Sequence, residues 1–165
     1  MRSLGDPRFR FVDLPMRGEY PGPGRRHLVA GAPAMNHAAG LARGTWLAPL
    51  DDDDEFEPDH IEVLLEKALE GRYELAYGNF RVIIPGGEPV VSGRWPPTYG
   101  EFGYQAAIYL TALRFFESDH RSWVLDEPAD MVLRRRMMEA GVRMGWVDRV
   151  VSTYYPSRLH RAQRA

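Results

Sequence analysis

The sequence predicts an α/β fold, a layered sheet with flanking helices. Short apolar, strand-like runs alternate with amphipathic helical stretches along most of the chain, and no internal repeat, low-complexity tract or linker interrupts the order. With 165 residues, 44% hydrophobic and 12% aromatic, the composition supports one ordinary domain with a real core rather than a disordered chain.

Arg8 to Val12 alternates polar and apolar side chains and reads as a short strand. Residues 15–33 contain Gly18, Pro21, Gly22, Pro23 and Gly24, a density of breakers that leaves only a loop. Ala34 to Ala42 is rich in alanine and predicts a short helix ending near Gly44. Thr45 to Leu50 reads as a buried strand that leads into four consecutive aspartates, with Pro49 weakening its ladder. Pro58 opens the clearest helix and Gly71 closes it. Ile61, Leu64, Leu65, Ala68 and Leu69 follow the spacing of one core-facing stripe.

Glu74 to Ile84 is then a strand, turned at Pro85-Gly86-Gly87 into a partner near Val90-Val91. Gly93 to Gly103 is loop, and Ala106 to Phe116 reads as a strand although its apolar run has no clean period. A second helix runs from Glu127-Pro128 to Gly141 with Ala129, Val132, Leu133, Met137 and Ala140 on one face. Trp146 to Tyr155 is strand-like, and residues 157–165 form a polar, basic tail.

Several function classes start from a low prior. Lysine and arginine number 21 against 23 aspartates and glutamates, so no net field favours nucleic acid. No cysteine is present, which excludes disulfides, thiolate metal sites and cysteine nucleophiles, and suits a reducing, cytoplasmic setting. Met1 to Pro15 lacks a signal-peptide core, and no segment is apolar for long enough to be an integral membrane span, so any membrane association is expected to be peripheral.

The strongest chemical signal is Asp51-Asp52-Asp53-Asp54-Glu55 at the carboxyl end of an apolar strand, where open α/β sheets bind ligands. Crowded carboxylates repel and push pKa values up unless a cation neutralises them, and hard oxygen ligands favour magnesium, manganese or calcium. In an extended segment Asp51 and Asp53 share one face, leaving Asp52 and Asp54 to meet substrate or backbone. The plain alternative is a solvated acidic loop. A calcium loop also has acids at suitable spacing, but Phe56 stands where its tight turn needs glycine.

Taken together, Asn36 through Gly44 and then Thr45 to Phe56 resemble a segment of family 2 glycosyltransferases, in which an asparagine, a glycine, an apolar strand and Leu-Asp-x-Asp-Asp-Glu acids follow in that order. The resemblance implies a GT-A fold and transfer of a sugar from a nucleotide-diphosphate donor to a hydroxyl of a carbohydrate, lipid or small-molecule acceptor, with inversion. It makes Asp51 and Asp53 the DXD pair for Mg²⁺ or Mn²⁺, supported by Asp54, with His160 as a third candidate ligand. Asn36, Asp52 and Arg43 become candidate donor contacts, while Trp95 and Tyr99 are placed to stack on a sugar ring.

Trp123 to Arg136 is similar to the acidic segment that supplies the family's general base. Pro128 occupies the place of one acid, which leaves Asp130, Glu127 and Asp126 as candidates, with Asp130 the choice because it lies beside the apolar row of its helix. The likeness runs from about Asp6 to about Pro156 and lacks the family's first nucleotide-binding strands. A single partial, truncated GT-A-like domain over 1–165 is therefore expected, prone to self-association through an exposed sheet edge. A non-catalytic remnant serving as a binding or scaffolding domain is the alternative.

Overall fold

The computed structural model describes residues 6–15, 22–29 and 31–156. Three α-helices occur among them: α1 (Ala32–Leu41), α2 (His60–Glu70) and α3 (Ala129–Glu139). The strands are β1 (Trp46–Leu47), β2 (Glu55–Phe56), β3 (Leu75–Val82), β4 (Val90–Ser92), β5 (Ala107–Leu110) and β6 (Met144–Tyr154). They form one mixed sheet in the order β1-β5-β3-β6-β2, with β4 also on β3. The β3–β6 pair is parallel and the other pairs are antiparallel.

β3 is central, so its first six residues are buried on both faces. Leu75 and Tyr77 join Met131, Leu133 and Met137 of α3 in one core cluster. Ala76 and Phe80 join Leu64 and Ala68 of α2 in the other. Successive strand residues point to opposite faces, so the sheet is sandwiched between α2 on one side and α3 with the 102–113 segment on the other. Gly78 sits where the β3–β6 register shifts, and a Cβ there would lie 2.8 Å from the Arg149 carbonyl oxygen and 2.9 Å from the Val151 methyls. Glycine is what lets the two strands approach.

The helix after the acids forms, but rotated from the expected stripe. Its buried residues are His60, Leu64 and Ala68, whereas Ile61 is 48% and Leu69 63% exposed. The cause is His60, which enters the core by donating Nδ1–H to the Val151 carbonyl at 2.8 Å and stacking on Phe56 at 3.8 Å. A polar ring that satisfies one donor and covers an aromatic face displaces an isoleucine from the interior.

Other expectations change for local reasons. Arg8 to Val12 is not a strand: no described strand lies alongside to complete its ladder, Phe9 and Phe11 are exposed, and Arg8 turns back onto Asp6. The 15–33 loop contains a 3-10 helix at Pro23–Leu28, and α1 begins earlier than expected, at Ala32. The strand before the acids shrinks to two half-buried residues, since Pro49 has no N–H to offer a ladder. The expected 106–116 strand stops at Leu110 and continues as a 3-10 turn, Thr111–Leu113. α3 keeps its predicted apolar face, with Met131 added and Ala140 exposed. Among the described residues no helix is long and apolar enough to cross a membrane.

This packing is tested by urea denaturation. Leu64→Ala, which empties a fully buried site, is expected to cost about 2–5 kcal/mol. Gly78→Ala, which crowds β6 backbone, is expected to cost about 1–3 kcal/mol. Ile61→Ser, on the solvent side of α2, is expected to stay within about 0.5 kcal/mol of the wild type.

Candidate functional site

The four aspartates occupy a tight turn between β1 and β2, closed by the Asp54 N–H donating to the Asp51 carbonyl at 3.3 Å. The turn replaces the extended alternation expected for them. Asp51, Asp52 and Asp53 are exposed, while Asp54 alone points inward and is 8% exposed. Its Oδ1 accepts the Tyr155 N–H at 3.0 Å, and its Oδ2 is buried without a hydrogen-bond partner among the described residues. Burial, opposed by that hydrogen bond and assisted by the charges of Asp51, Asp53 and Asp52, pushes the Asp54 carboxyl up to about 7. Asp51 is raised as well, by partial desolvation of its carboxyl first and then by Asp53 and Asp52. Its Oδ1 faces Gly31, the residue that opens α1 at φ +84°: a Cβ there would lie 3.9 Å from that oxygen.

Asp130 sits in the first turn of α3, where its Oδ1 accepts the Met131 N–H at 2.9 Å. Burial pushes its carboxyl up to about 6, the backbone N–H groups of the helix start oppose this, and the Asp51 charge adds to it. Tyr154, the last residue of β6, ties the two acidic groups together. Its phenol is pushed up to about 12 by burial and then by the charges of Asp54, Asp53, Asp130 and Asp51. The acid turn, the end of β6 and the α3 start therefore lie within electrostatic reach of one another.

The other candidates separate on their partners. Glu127 Oε2 accepts from Arg135 Nη2 at 2.8 Å. Asp126, in the left-handed region at φ +56°, is exposed and faces Arg25 Nε at 3.7 Å. Asn36 gives its amide to the backbone of Ser118, donating at 2.9 Å and accepting at 2.8 Å, so it brackets α1 to the 117–119 segment instead of facing the acids. Arg43 lines a cavity of about 610 Å³ between residues 7–14 and the outer side of α1, with Arg10 and His37 and none of the four aspartates. Trp95 and Tyr99 are 52% and 69% exposed on the loop after β4. Asp52 stands at the tip of the acid turn, and His160 lies outside the described residues.

Two members of the site escaped sequence reasoning. Tyr154 falls within the expected 146–155 strand and Arg134 within the second helix, where residue type and spacing mark neither. The one signal for Tyr154 was its place at the carboxyl end of a strand. Among the described residues no three carboxylate or imidazole groups converge into a ready-made metal cage. That is compatible with Mg²⁺, which takes one or two protein carboxylates and completes its shell with phosphates and water. Asp51 and Asp53, exposed side by side on the turn, have the hard-oxygen chemistry for that share.

Residues 25–135 match the family described as Glycosyl transferase family 2. The chain is 33% identical over 117 residues to the succinoglycan biosynthesis protein ExoO of Rhizobium meliloti (strain 1021), a match over 71% of this chain and 29% of ExoO. It thus spans under a third of that relative's length. The crystal structure of S. aureus TarS 1-349 superposes with a TM-score of 0.58 at 14% identity, over 76% of this chain and 40% of that one. At such identity the likeness is one of fold.

The raised Asp54 carboxyl has a measurable sign. A carboxyl that titrates near 3.8 unfolded and about 7 folded makes the native state bind the extra proton, so stability is highest below pH 4 for this group and falls as pH rises towards 7. Asp54→Asn keeps an acceptor for the Tyr155 N–H and removes the charge. In metal-free buffer it is expected to raise stability at pH 8 by on the order of 2 kcal/mol while changing it little at pH 4, as read by thermal melts at both values.

Proposed function

The chain belongs to glycosyltransferase family 2, and on that premise we propose that it carries the metal-binding and acceptor-side half of an inverting, metal-dependent transferase. The substrate class is a nucleotide-diphosphate sugar and an acceptor hydroxyl of a carbohydrate, lipid or small molecule. The observation that supports this reading is that two acidic groups with different environments feel each other's charge: exposed Asp51 and Asp53 on the turn, and desolvated Asp130 at the start of α3.

In this reading Asp130 is the general base. Its carboxylate takes the proton of the acceptor hydroxyl, and the freed oxygen attacks the anomeric carbon from the face opposite the departing diphosphate, which inverts that centre. A carboxyl that titrates near 6 is ionised at neutral pH yet basic enough to accept a proton. Glu127 is committed to Arg135 and Asp126 lies in solvent, so neither has the same claim. Asp51 and Asp53 would hold the cation, which when bound neutralises charge on the leaving diphosphate. Asp54 supports the turn from beneath through the Tyr155 N–H instead of acting as a direct ligand. Trp95 and Tyr99 offer exposed rings for the acceptor sugar.

Two measurements test the reading. Asp53→Ala is expected to abolish manganese-dependent donor binding in calorimetry with an unchanged melting temperature, and wild-type affinity would remove the DXD assignment. Asp130→Asn is expected to lower turnover by at least about 10²-fold with donor affinity retained, and wild-type turnover is expected to climb as pH rises through about 6, where the base loses its proton. Full turnover by the Asn variant would end the role of Asp130, and donor binding without turnover by the wild-type chain would favour the scaffolding alternative.

A further inference from the structure

One helical turn beyond Asp130, α3 carries Arg134, whose guanidinium is not committed to an acid. Nη1 donates to the carbonyl oxygen of Pro97, 37 residues away in sequence, and reaches Met138 Sδ at 3.7 Å. Nε is buried with no partner among the described residues. The adjacent Arg135 behaves as an ordinary helix-surface cation, paired with Glu127 at 2.8 Å and Glu139 at 3.7 Å. Desolvating a guanidinium and leaving one donor unsatisfied is unfavourable, so its placement needs a compensating gain.

The gain is in what Pro97 anchors. Pro97 is fully buried, and it stands midway between Trp95 and Tyr99, the two exposed rings of the 93–103 loop. The loop is held at its flanks by Tyr77 Oη donating to the Arg94 carbonyl at 2.6 Å and by Ser92 Oγ donating to the Gly100 carbonyl at 2.7 Å. Among the described residues, Arg134 supplies the side-chain hydrogen bond that joins the stretch between those points to α3. We propose that Arg134 is a positioning residue that ties the 93–103 loop, and the aromatic rings it presents, to the helix bearing Asp130, so that the acceptor platform and the base keep one relative placement. The assignment deepens the transferase reading and rests on it for its purpose, although the tether itself is a property of the chain.

Arg134 also acts electrostatically on Asp130, lowering a carboxyl that burial and Asp51 raise; Tyr104 and Tyr154 are the other titratable groups coupled to it. Charge and tether are separable, because lysine keeps the first and loses the second: its side chain is one atom shorter, so the ammonium ends short of the place Nη1 takes at the Pro97 carbonyl.

The experiment uses the whole chain without substrate, comparing Arg134→Lys, Arg134→Met and, as a surface control, Arg135→Met. Backbone hydrogen exchange over residues 94–101 is expected to quicken by about tenfold in both Arg134 variants and not in the control. The Asp130 midpoint, followed by carboxyl ¹³C NMR, is expected to rise in Arg134→Met and to stay near wild type in Arg134→Lys. If Arg134→Met fails to fold, the lysine variant alone decides through loop exchange. Unchanged loop exchange in a folded Arg134 variant overturns the proposal, as does equal loosening in Arg135→Met. Neither readout depends on turnover, so loss of the transferase reading would leave the tether standing or falling on its own data.

Discussion

The parallel β3–β6 ladder is the constraint on which the remainder hangs. It runs from Leu75 opposite Met144 to Val82 opposite Tyr154, and the residues on its two faces seed both core clusters. Because β6 is held along this length, its far end is delivered to a fixed place beside β2. There the Tyr155 N–H meets Asp54, and the Tyr154 phenol feels the charges of Asp54, Asp53, Asp130 and Asp51. Gly78 makes this possible by giving up a side chain where β6 must pass close. The site is thus an extension of core packing, placed by the apolar centre of the sheet more than by the loop that contains the acids.

Electrostatics then divide the acids into kinds. Asp54 is buried beneath three neighbouring carboxylates and retains one hydrogen bond, so desolvation and repulsion win and its proton is held to about 7. Asp51, Asp52 and Asp53 are exposed on the turn, although the Asp51 carboxyl is itself partly desolvated and is raised by that and by the charges of Asp53 and Asp52. Asp130 is intermediate: burial raises it, while helix-start N–H groups and Arg134 restrain it near 6. A run of four identical residues therefore yields one buried carboxyl and three exposed ones, and the other desolvated carboxyl comes from another element.

Much of the architecture was legible before any coordinates. The α2 and α3 helices, the β3–β4 hairpin and the β6 strand follow from periodicity and breakers, because local hydrogen bonding and amphipathicity decide them. The failures share a cause. Arg8 to Val12 has the alternation of a strand, but a strand exists only through a partner, and none of the described residues supplies one. The α2 stripe turned because His60 found the Val151 carbonyl, a contact 91 residues distant that no helical pattern encodes. Asn36 looked available for a ligand until Ser118 took both ends of its amide.

By itself the sequence determined the fold class, the order of most elements, the family and the short stretches that hold its acids, since these depend on residue type and near-neighbour spacing. Only the tertiary structure decided which acid is buried, which glutamate is spent on an arginine, and that Arg134 reaches the 93–103 loop. Those outcomes depend on desolvation and on partners brought together from distant parts of the chain, and both are products of the completed packing.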